Sequence, residues 1–218
     1  MGGMANRETP TKTTPIYLSG ASRPELESRS GFGFMRTPQI KNRPLAGPWA
    51  ADTGLFSAKG ERAFNLDSYL AWLDSQDAST CLFATAPDKI CDPVETLRRS
   101  APVFAAIRER GYKPAFVAQD GLEHIADQIP WDDFDVLFIG GSTEWKLGPG
   151  AAALVREAKS RGKLVHMGRV NSERRYQYAA RIGCDSVDGT FLAFGPEKNL
   201  PRLTGWVERA RIQGELAA

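Results

Sequence analysis

Carboxylate side chains follow several short apolar runs along this sequence. Asp52 lies in WAADTGLFS, Asp88 in ATAPDKICDP and Asp188 in GCDSVDGT. Two or three carboxylates facing one pocket are suited to base exchange, because one attacks the anomeric carbon of a sugar while another gives and takes protons at the purine. These positions therefore predict nucleophilic and acid–base chemistry at a glycosidic bond, and the alternative is that Asp52 or Asp88 is a turn residue.

Amide and glycine positions follow other apolar runs. Gln119 in FVAQDG offers a donor and an acceptor to the edge of a base. A glycine turn lets backbone amides approach a flat ring closely. We therefore expect a base-binding pocket, with further members that follow two more runs: Gly140, Gly141, Ser142, Met167 and Gly168.

Three other polar residues receive structural interpretations. Asp92 directly precedes Pro93, which is typical of a helix cap and the first helical turn. His124 falls in a helical pattern and His166 inside a strand pattern. We assign both histidines to core or surface roles rather than to catalysis.

The elements that would position these residues alternate between short apolar runs and helical patterns. Such alternation predicts βα units around a parallel sheet. The competing architecture is an open doubly wound sheet. Against it, no G-x-G-x-x-G follows the first apolar run, and the polar candidate residues follow many runs rather than clustering at one switch point of a sheet. We predict a compact α/β fold, a (β/α)8 TIM-type barrel, with strand candidates at Ile16–Leu18, Pro48–Ala51, Cys81–Ala84, Ala115–Ala118, Val136–Ile139, Leu164–Met167 and Ser186–Val187.

The sequence also predicts where several helices begin and end. Apolar residues spaced by three or four predict a helix from Pro93 that ends at Gly111. Similar patterns predict helices over Pro149–Arg161 and Ser172–Ile182, each followed by glycine, and a last helix from about Leu200.

Composition sets broad limits. The 218 residues favour one domain, which we place at residues 15–218 after a disordered tail at residues 1–14. No apolar run approaches the roughly 20 residues of a membrane span, so we expect a cytoplasmic protein. The three cysteines lie far apart and form no Cys/His cluster, so we expect no zinc, other metal or cofactor.

Net charge is too small to indicate nucleic-acid binding by itself. There are 28 Lys and Arg against 26 Asp and Glu, which leaves a net charge of +2. Any phosphate-binding patch must be local, and ordinary solvated charge is the alternative. The candidates for backbone contacts are Arg36, Lys41, Arg43, Arg169, Arg174 and Arg175.

The order and spacing of these motifs, from about Pro48 to Thr190, resemble the tRNA-guanine transglycosylase family. The segment from Asp52 to Phe56 resembles the family's motif for an acid–base aspartate and a base-stacking ring. The Gly183–Asp188 segment resembles the nucleophile motif. The resemblance implies that Asp188 is the nucleophile, that Asp52 is the acid–base group and that the base contacts Phe56, Asp88, Gln119, Gly140, Gly141, Ser142, Met167 and Gly168.

Two departures from the family bear on the substrate. The sequence has nothing that could form the family's C-terminal zinc subdomain, so it resembles the shorter branch of phages and bacterial modification islands that inserts 7-deazaguanines into DNA. Lys146 falls where the family has a glutamate that senses the substituent of the deazaguanine. We expect Lys146, with Glu144 nearby, to recognise that substituent. The alternative is that Lys146 points into solvent.

The resemblance thus predicts a pentosyltransferase that exchanges guanine in DNA for a free 7-deazaguanine through a glycosyl-aspartate. The alternatives are a tRNA-modifying enzyme, a non-catalytic partner barrel that binds nucleic acid, and a glycosylase that uses water in the second step. Whether the chain forms a homodimer, as members of the family do, stays open.

Overall fold

Eight parallel strands form a closed barrel in the described part of the chain. The computed structural model describes residues 14–21, 23–27, 29–39, 45–56 and 58–216. The strands follow one another around the barrel in chain order, and β8 pairs with β1. This arrangement confirms the predicted TIM-type barrel and excludes the open sheet. The strands are β1 Ile16–Ser19, β2 Phe32–Arg36, β3 Trp49–Ala51, β4 Cys81–Thr85, β5 Pro114–Ala118, β6 Val136–Ile139, β7 Leu164–Met167 and β8 Ser186–Gly189.

Strand β2 is the element that the apolar pattern did not indicate. Its sequence is FGFMR, in which we had considered only Arg36, as a candidate for phosphate contact. Gly33 interrupts the apolar pattern, yet the barrel requires a glycine there because a Cβ atom would overlap the carbonyl oxygen of Pro48, which directly precedes β3. The predicted tail at residues 1–14 lies outside the described residues, apart from Thr14.

Helices surround the barrel. The expected helix from Pro93 to Gly111 is divided by a 3₁₀ turn at Ala101–Val103, because Pro102 has no amide proton for the helical ladder. Asp92 caps the first part by accepting from the amide of Glu95, as expected. The described helices are α1 Ala58–Ala63, α2 Leu66–Asp74, α3 Pro93–Ser100, α4 Phe104–Glu109, α5 Thr143–Lys146, α6 Pro149–Ser160, α7 Glu173–Ile182 and α8 Pro196–Glu215.

The boundaries of α6 and α7 confirm the expected ones to within a residue. Helix α7 begins after Ser172, whose hydroxyl accepts from the amide of Arg175, and ends at Gly183 in the left-handed region. Helix α8 starts at Pro196, about one turn earlier than expected. No helix in the described ranges is both long and apolar enough to cross a membrane.

Alternation along the strands separates two apolar layers. Leu18, Met35, Ala50, Phe83 and Phe138 pack inside the barrel. The opposite face of each strand packs against the helices, with the strand residues Phe34, Trp49, Phe116, Leu137, Met167 and Val187. On β7 and β8 the inward positions are instead polar, and they carry His166, Ser186 and Asp188.

Candidate active site

The carboxyl ends of the parallel strands place the predicted carboxylates at one mouth of the barrel. Asp52 follows β3, Asp88 lies in the loop after β4, and Asp188 stands in β8. The charges of Asp88 and Asp188 both raise the pKa of Asp52, so the three groups are within electrostatic reach of one another. This is the end of a TIM-type barrel at which catalytic residues occur.

Asp188 is held by two hydrogen-bond donors. Its Oδ1 lies 3.0 Å from Nε2 of His166 and 3.2 Å from the backbone amide of Arg169. Its side chain is 18% exposed, so the carboxylate is oriented from below and remains open to the mouth. A carboxylate oxygen only accepts, so Nε2 of His166 carries the proton and Nδ1 accepts from the hydroxyl of Ser186 at 2.8 Å.

His166 therefore contacts Asp188, the predicted nucleophile. Our assignment of His166 to a core or surface role missed this contact. The imidazole is fully buried, with the rings of Phe138 and Phe83 at centroid distances of 4.4 and 4.9 Å. Burial lowers its pKa, although the bond to Asp188 opposes the shift. His166 is a neutral donor that orients Asp188. The signal lay in the alternation of β7, which points His166 inward beside β8.

Asp52 has a different environment. Its Oδ1 accepts from the amide of Gly54 at 2.6 Å, as in an Asx turn. Burial raises the pKa of Asp52 to about 7 in spite of this bond, and the charges of Asp88 and Asp188 add to the effect. The group can therefore exchange a proton near neutral pH, as an acid–base residue must.

Gln119 connects Asp88 to two neighbouring loops. Its Nε2 donates to Oδ2 of Asp88 at 2.6 Å, and its Oε1 accepts from the amides of Cys91 at 3.0 Å and Gly141 at 3.2 Å. Both lone pairs of the amide oxygen are thus occupied, so Gln119 offers a base at most one N–H. Burial raises the pKa of Asp88 to about 6, although the bond from Gln119 opposes the shift.

The glycine turn after β6 does not leave its amides free, contrary to our expectation for the base site. The amide of Gly140 donates to Ala118, that of Gly141 to Gln119, and that of Ser142 to Oδ2 of Asp120 at 2.7 Å. Asp120 was not among the predicted residues. Burial raises the pKa of Asp120, but hydrogen bonds, first among them those from Ser142, together leave the pKa below its usual value. The turn is therefore braced against the loop after β5.

Lys146 points into the protein rather than into solvent or the mouth. It is fully buried, and Nζ donates to the carbonyl of Gly168 at 2.6 Å. Burial, together with the charge of Arg169, lowers the pKa of Lys146 to about 7. An amine without exposed surface does not meet a substituent in this structure, which corrects our expectation. Glu144, two residues earlier, is exposed on α5.

Met167 is also placed differently from our prediction. Its side chain is fully buried in the layer between the strands and the helices, because His166 occupies the adjacent inward position. Met167 therefore cannot contact a base in the mouth. Gly168 does lie at the mouth, since a Cβ atom there would be 3.2 Å from Oδ1 of Asp188.

The predicted phosphate-binding cations fall into separate groups. The guanidinium of Arg36 packs over Trp49 and donates to Gln76 near the amino end of β4, so it lies away from the mouth and is not a candidate. Lys41 and Arg43 lie outside the described residues. Arg169 donates to the carbonyl of Gly141 at the mouth. Arg174 and Arg175 occupy the first turn of α7, which follows the same strand end.

Phe56 is an exposed aromatic side chain on the loop after β3. It is 71% exposed, and it stands four residues after Asp52. An aromatic ring in this position can stack on a base, as the resemblance implies. In the described ranges no group of three or more His, Cys, Asp or Glu side chains could hold a metal ion.

The class that the fold defines is the TIM-type (β/α)8 barrel. No family model and no curated protein matches this sequence. A chain of the tryptophan synthase α2β2 complex from the hyperthermophile Pyrococcus furiosus is similar, with a TM-score of 0.43 and 13% identity over 76% of this chain and 85% of that chain. The PaMucR phosphodiesterase, solved with c-di-GMP, has a TM-score of 0.41 and 15% identity over 66% and 60%. At such distances the likeness says nothing of activity.

Proposed function

We propose that this protein is a pentosyltransferase that exchanges guanine in a nucleic acid, DNA rather than tRNA, for a free 7-deazaguanine. The observation that carries the proposal is the pair Asp188 and Asp52. Asp188 is oriented by His166 and by the amide of Arg169, while burial brings the pKa of Asp52 to about 7. One carboxylate is thus prepared to attack, and the other to transfer protons.

The first half of the reaction forms a covalent intermediate. The target guanosine turns out of its base stack, which gives access to the anomeric carbon. An oxygen of Asp188 bonds to that carbon as the bond to guanine breaks, and the bonding electron pair leaves with the base. The protonated form of Asp52 supplies a proton to the departing guanine, so that neutral guanine and a glycosyl-aspartate result.

The second half reverses these steps with a different base. Asp52, now ionised, accepts a proton from the incoming 7-deazaguanine, whose ring nitrogen attacks the anomeric carbon and releases Asp188. Two inversions give net retention. Burial raises the pKa of Asp88 to about 6, and Gln119 holds its carboxyl group, so Asp88 can form a hydrogen bond to the edge of the base. The exposed ring of Phe56 provides a stacking surface.

A trapping experiment tests the proposal. Wild-type protein incubated with a guanine-containing oligonucleotide should form an adduct that survives denaturing electrophoresis, and Asp188→Asn should form none. Exchange by the variant should fall roughly 10⁴-fold, because covalent catalysis is lost. The matched control is Asp185→Asn in the same motif. Asp185 instead accepts from Lys159 and from the amide of Val165, so the control should still form the adduct.

A second assay separates the nucleic acids and the alternatives. Purified DNA and tRNA receive the same radiolabelled 7-deazaguanine, and we expect label in DNA. Label in tRNA alone would overturn the DNA assignment and leave the chemistry in place. Release of guanine without incorporation would indicate a hydrolase, and an adduct-free, inactive wild type that still binds nucleic acid would indicate a non-catalytic partner barrel.

A further inference from the structure

A cleft that the proposed mechanism does not use opens between the loops after β7 and β8 and helix α8. Its volume is about 350 Å³. Its walls include Asn171, Glu173, Phe191, Arg202, Gly205 and Trp206. The volume is at the low end of the range for small-ligand pockets, on the order of 300–1,000 Å³, and so suits a single nucleotide better than a longer segment.

The cleft adjoins the strand ends that hold Asp188. Asn171 in its wall accepts from the amide of Thr190 at 2.7 Å, two residues after Asp188. The amide of Val170, next to Asn171, donates to the carbonyl of Asp188 at 2.6 Å. A polymer whose target sugar sits at Asp188 therefore passes close to this cleft.

The chemistry of the walls suits a nucleotide. Phe191 is half-buried and packs on Trp206 with centroids 4.4 Å apart, and the guanidinium of Arg202 lies 5.4 Å from the centre of the Phe191 ring. Among the described residues, three charged side chains line the cleft: Glu173, Arg202 and Arg209. Glu173 pairs with Arg209 at 2.5 Å, so the charge of Arg202 makes the net charge of the lining positive. The loops after strands 7 and 8 frequently form a phosphate site in barrels of this type.

We propose that this cleft is a subsite for the nucleotide adjacent to the target guanosine, with the base against Phe191 and the phosphate on Arg202. The proposal rests on the proposed function and adds the part of the substrate that flanks the reacting nucleotide. A free 7-deazaguanine does not reach the cleft, so the subsite should affect only the polymeric substrate.

Gly205 allows the cleft to be filled with little effect on folding. A Cβ atom there meets first the terminal Nη1 of Arg209, at 3.1 Å, which is the flexible end of a side chain. Leucine is also a better helix former than glycine. Gly205→Leu should weaken binding of an oligonucleotide with flanking nucleotides roughly 5- to 150-fold, the loss expected for one stacked base, and leave the affinity for free base unchanged. The matched control is Gly214→Leu, near the far end of α8.

Oligonucleotides of increasing length make the test specific. The wild type should gain affinity when a nucleotide is added beside the target guanosine, and Gly205→Leu should lose this gain while Gly214→Leu keeps it. Arg202→Ala should also reduce the gain, whereas Arg211→Ala on the same helix should not. An equal gain in Gly205→Leu and wild type, or no gain in the wild type, would overturn the subsite. If adducts and exchange persist in that case, the proposed function stands; their absence from the wild type defeats it.

Discussion

Asp52 and Asp188 lie at one mouth of the barrel but have different hydrogen-bond partners. Asp188 accepts from the ring of His166 and from the amide of Arg169, whereas Asp52 accepts from the amide of Gly54 and faces two other carboxylates. Burial and like charge favour the protonated form of a carboxyl group. In the proposed reaction, these different environments suit Asp188 to the role of nucleophile and Asp52 to that of proton carrier.

The raised pKa of Asp52 has a consequence for stability. The folded protein holds this proton up to a pH of about 7, whereas the unfolded chain releases it near 3.8. Between those values the folded state binds more protons, so the free energy of unfolding decreases as the pH rises. Asp52→Asn should therefore stabilise the protein at pH 8 by on the order of a few kcal/mol and abolish exchange.

Urea unfolding of both proteins at pH 8 and near pH 4 measures this difference. We expect the stabilisation by Asp52→Asn at pH 8 to shrink near pH 4, where the wild-type carboxyl is protonated in the folded state. Asparagine keeps an oxygen that can accept from Gly54, so the turn itself should remain. Equal stability of the two proteins at pH 8 would mean that Asp52 is ionised at no cost in the fold.

The turn after β7, at Gly168 and Arg169, is bonded to the segment that follows β6. Lys146 of α5 donates to the carbonyl of Gly168, and Arg169 donates back to the carbonyl of Gly141. Arg169 has a φ of 59°, a left-handed conformation that costs a non-glycine residue on the order of 1 kcal/mol. This conformation accompanies the approach of the Arg169 amide to Asp188, so the crossed bonds hold a strained turn beside Asp188.

Gly168→Ala should disturb this turn. A Cβ atom there would lie 2.7 Å from Cε1 of Phe138 and 3.2 Å from Oδ1 of Asp188, so the ring or the carboxylate must shift. We expect a stability loss of about 1–3 kcal/mol and a fall in kcat, because Asp188 loses its orientation. Urea unfolding and single-turnover exchange measure the two effects.

Gly20→Ala is the matched control. Gly20 directly follows β1 at the same mouth, but a Cβ atom there would lie at an ordinary 3.6 Å from its nearest neighbours. This variant should keep both stability and kcat. A Gly168→Ala protein with unchanged kcat would show that the turn tolerates displacement and does not set the position of Asp188.

At the scale of the whole molecule, the location of cations matters more than their number. A net charge of +2 gives little overall attraction for a polyanion. Arg169, Arg174 and Arg175 nevertheless follow one strand end, and Arg175 donates to the carbonyl of Arg169 at 3.4 Å. In the proposed complex with DNA, this basic edge beside the mouth would hold phosphates while the base enters the barrel.

Replacing Arg174 and Arg175 together by alanine should flatten the salt dependence of nucleic-acid binding. Each lost phosphate contact should reduce the magnitude of the log–log slope by about 0.9 on duplex DNA or 0.7 on single strands. The affinity for free 7-deazaguanine should not change. Binding titrations at several salt concentrations measure the slope.

Arg161→Ala with Arg211→Ala makes the same change in charge elsewhere and serves as the control. Arg161 follows α6 and packs over Trp131, and Arg211 pairs with Glu208 and Glu215 near the end of α8. This control should keep the wild-type slope. An equal effect of both pairs would mean that charge acts at long range and that no contact is made at α7.

Local patterns in the sequence were enough to predict most of the barrel. Apolar runs and turn residues indicated seven of the strands that the structure describes, and Asp92, Ser172 and Gly183 mark helix boundaries through local hydrogen bonding and backbone conformation. Strand β2 was missed because Gly33 interrupts its apolar pattern, and this glycine is required by the close approach of Pro48 just before β3, which is a non-local contact.

The candidate site likewise has features that the sequence predicts and features that only the tertiary structure shows. The position of an aspartate after a strand is a local property, so Asp52, Asp88 and Asp188 could be placed at the mouth once a parallel barrel was assumed. The partner of each side chain is instead distant in sequence. His166 bonds to Asp188, Gln119 bonds to Asp88, and the buried Lys146 bonds to the carbonyl of Gly168. Burial and hydrogen bonding across strands set those contacts and the pKa values, so only the tertiary structure could decide them.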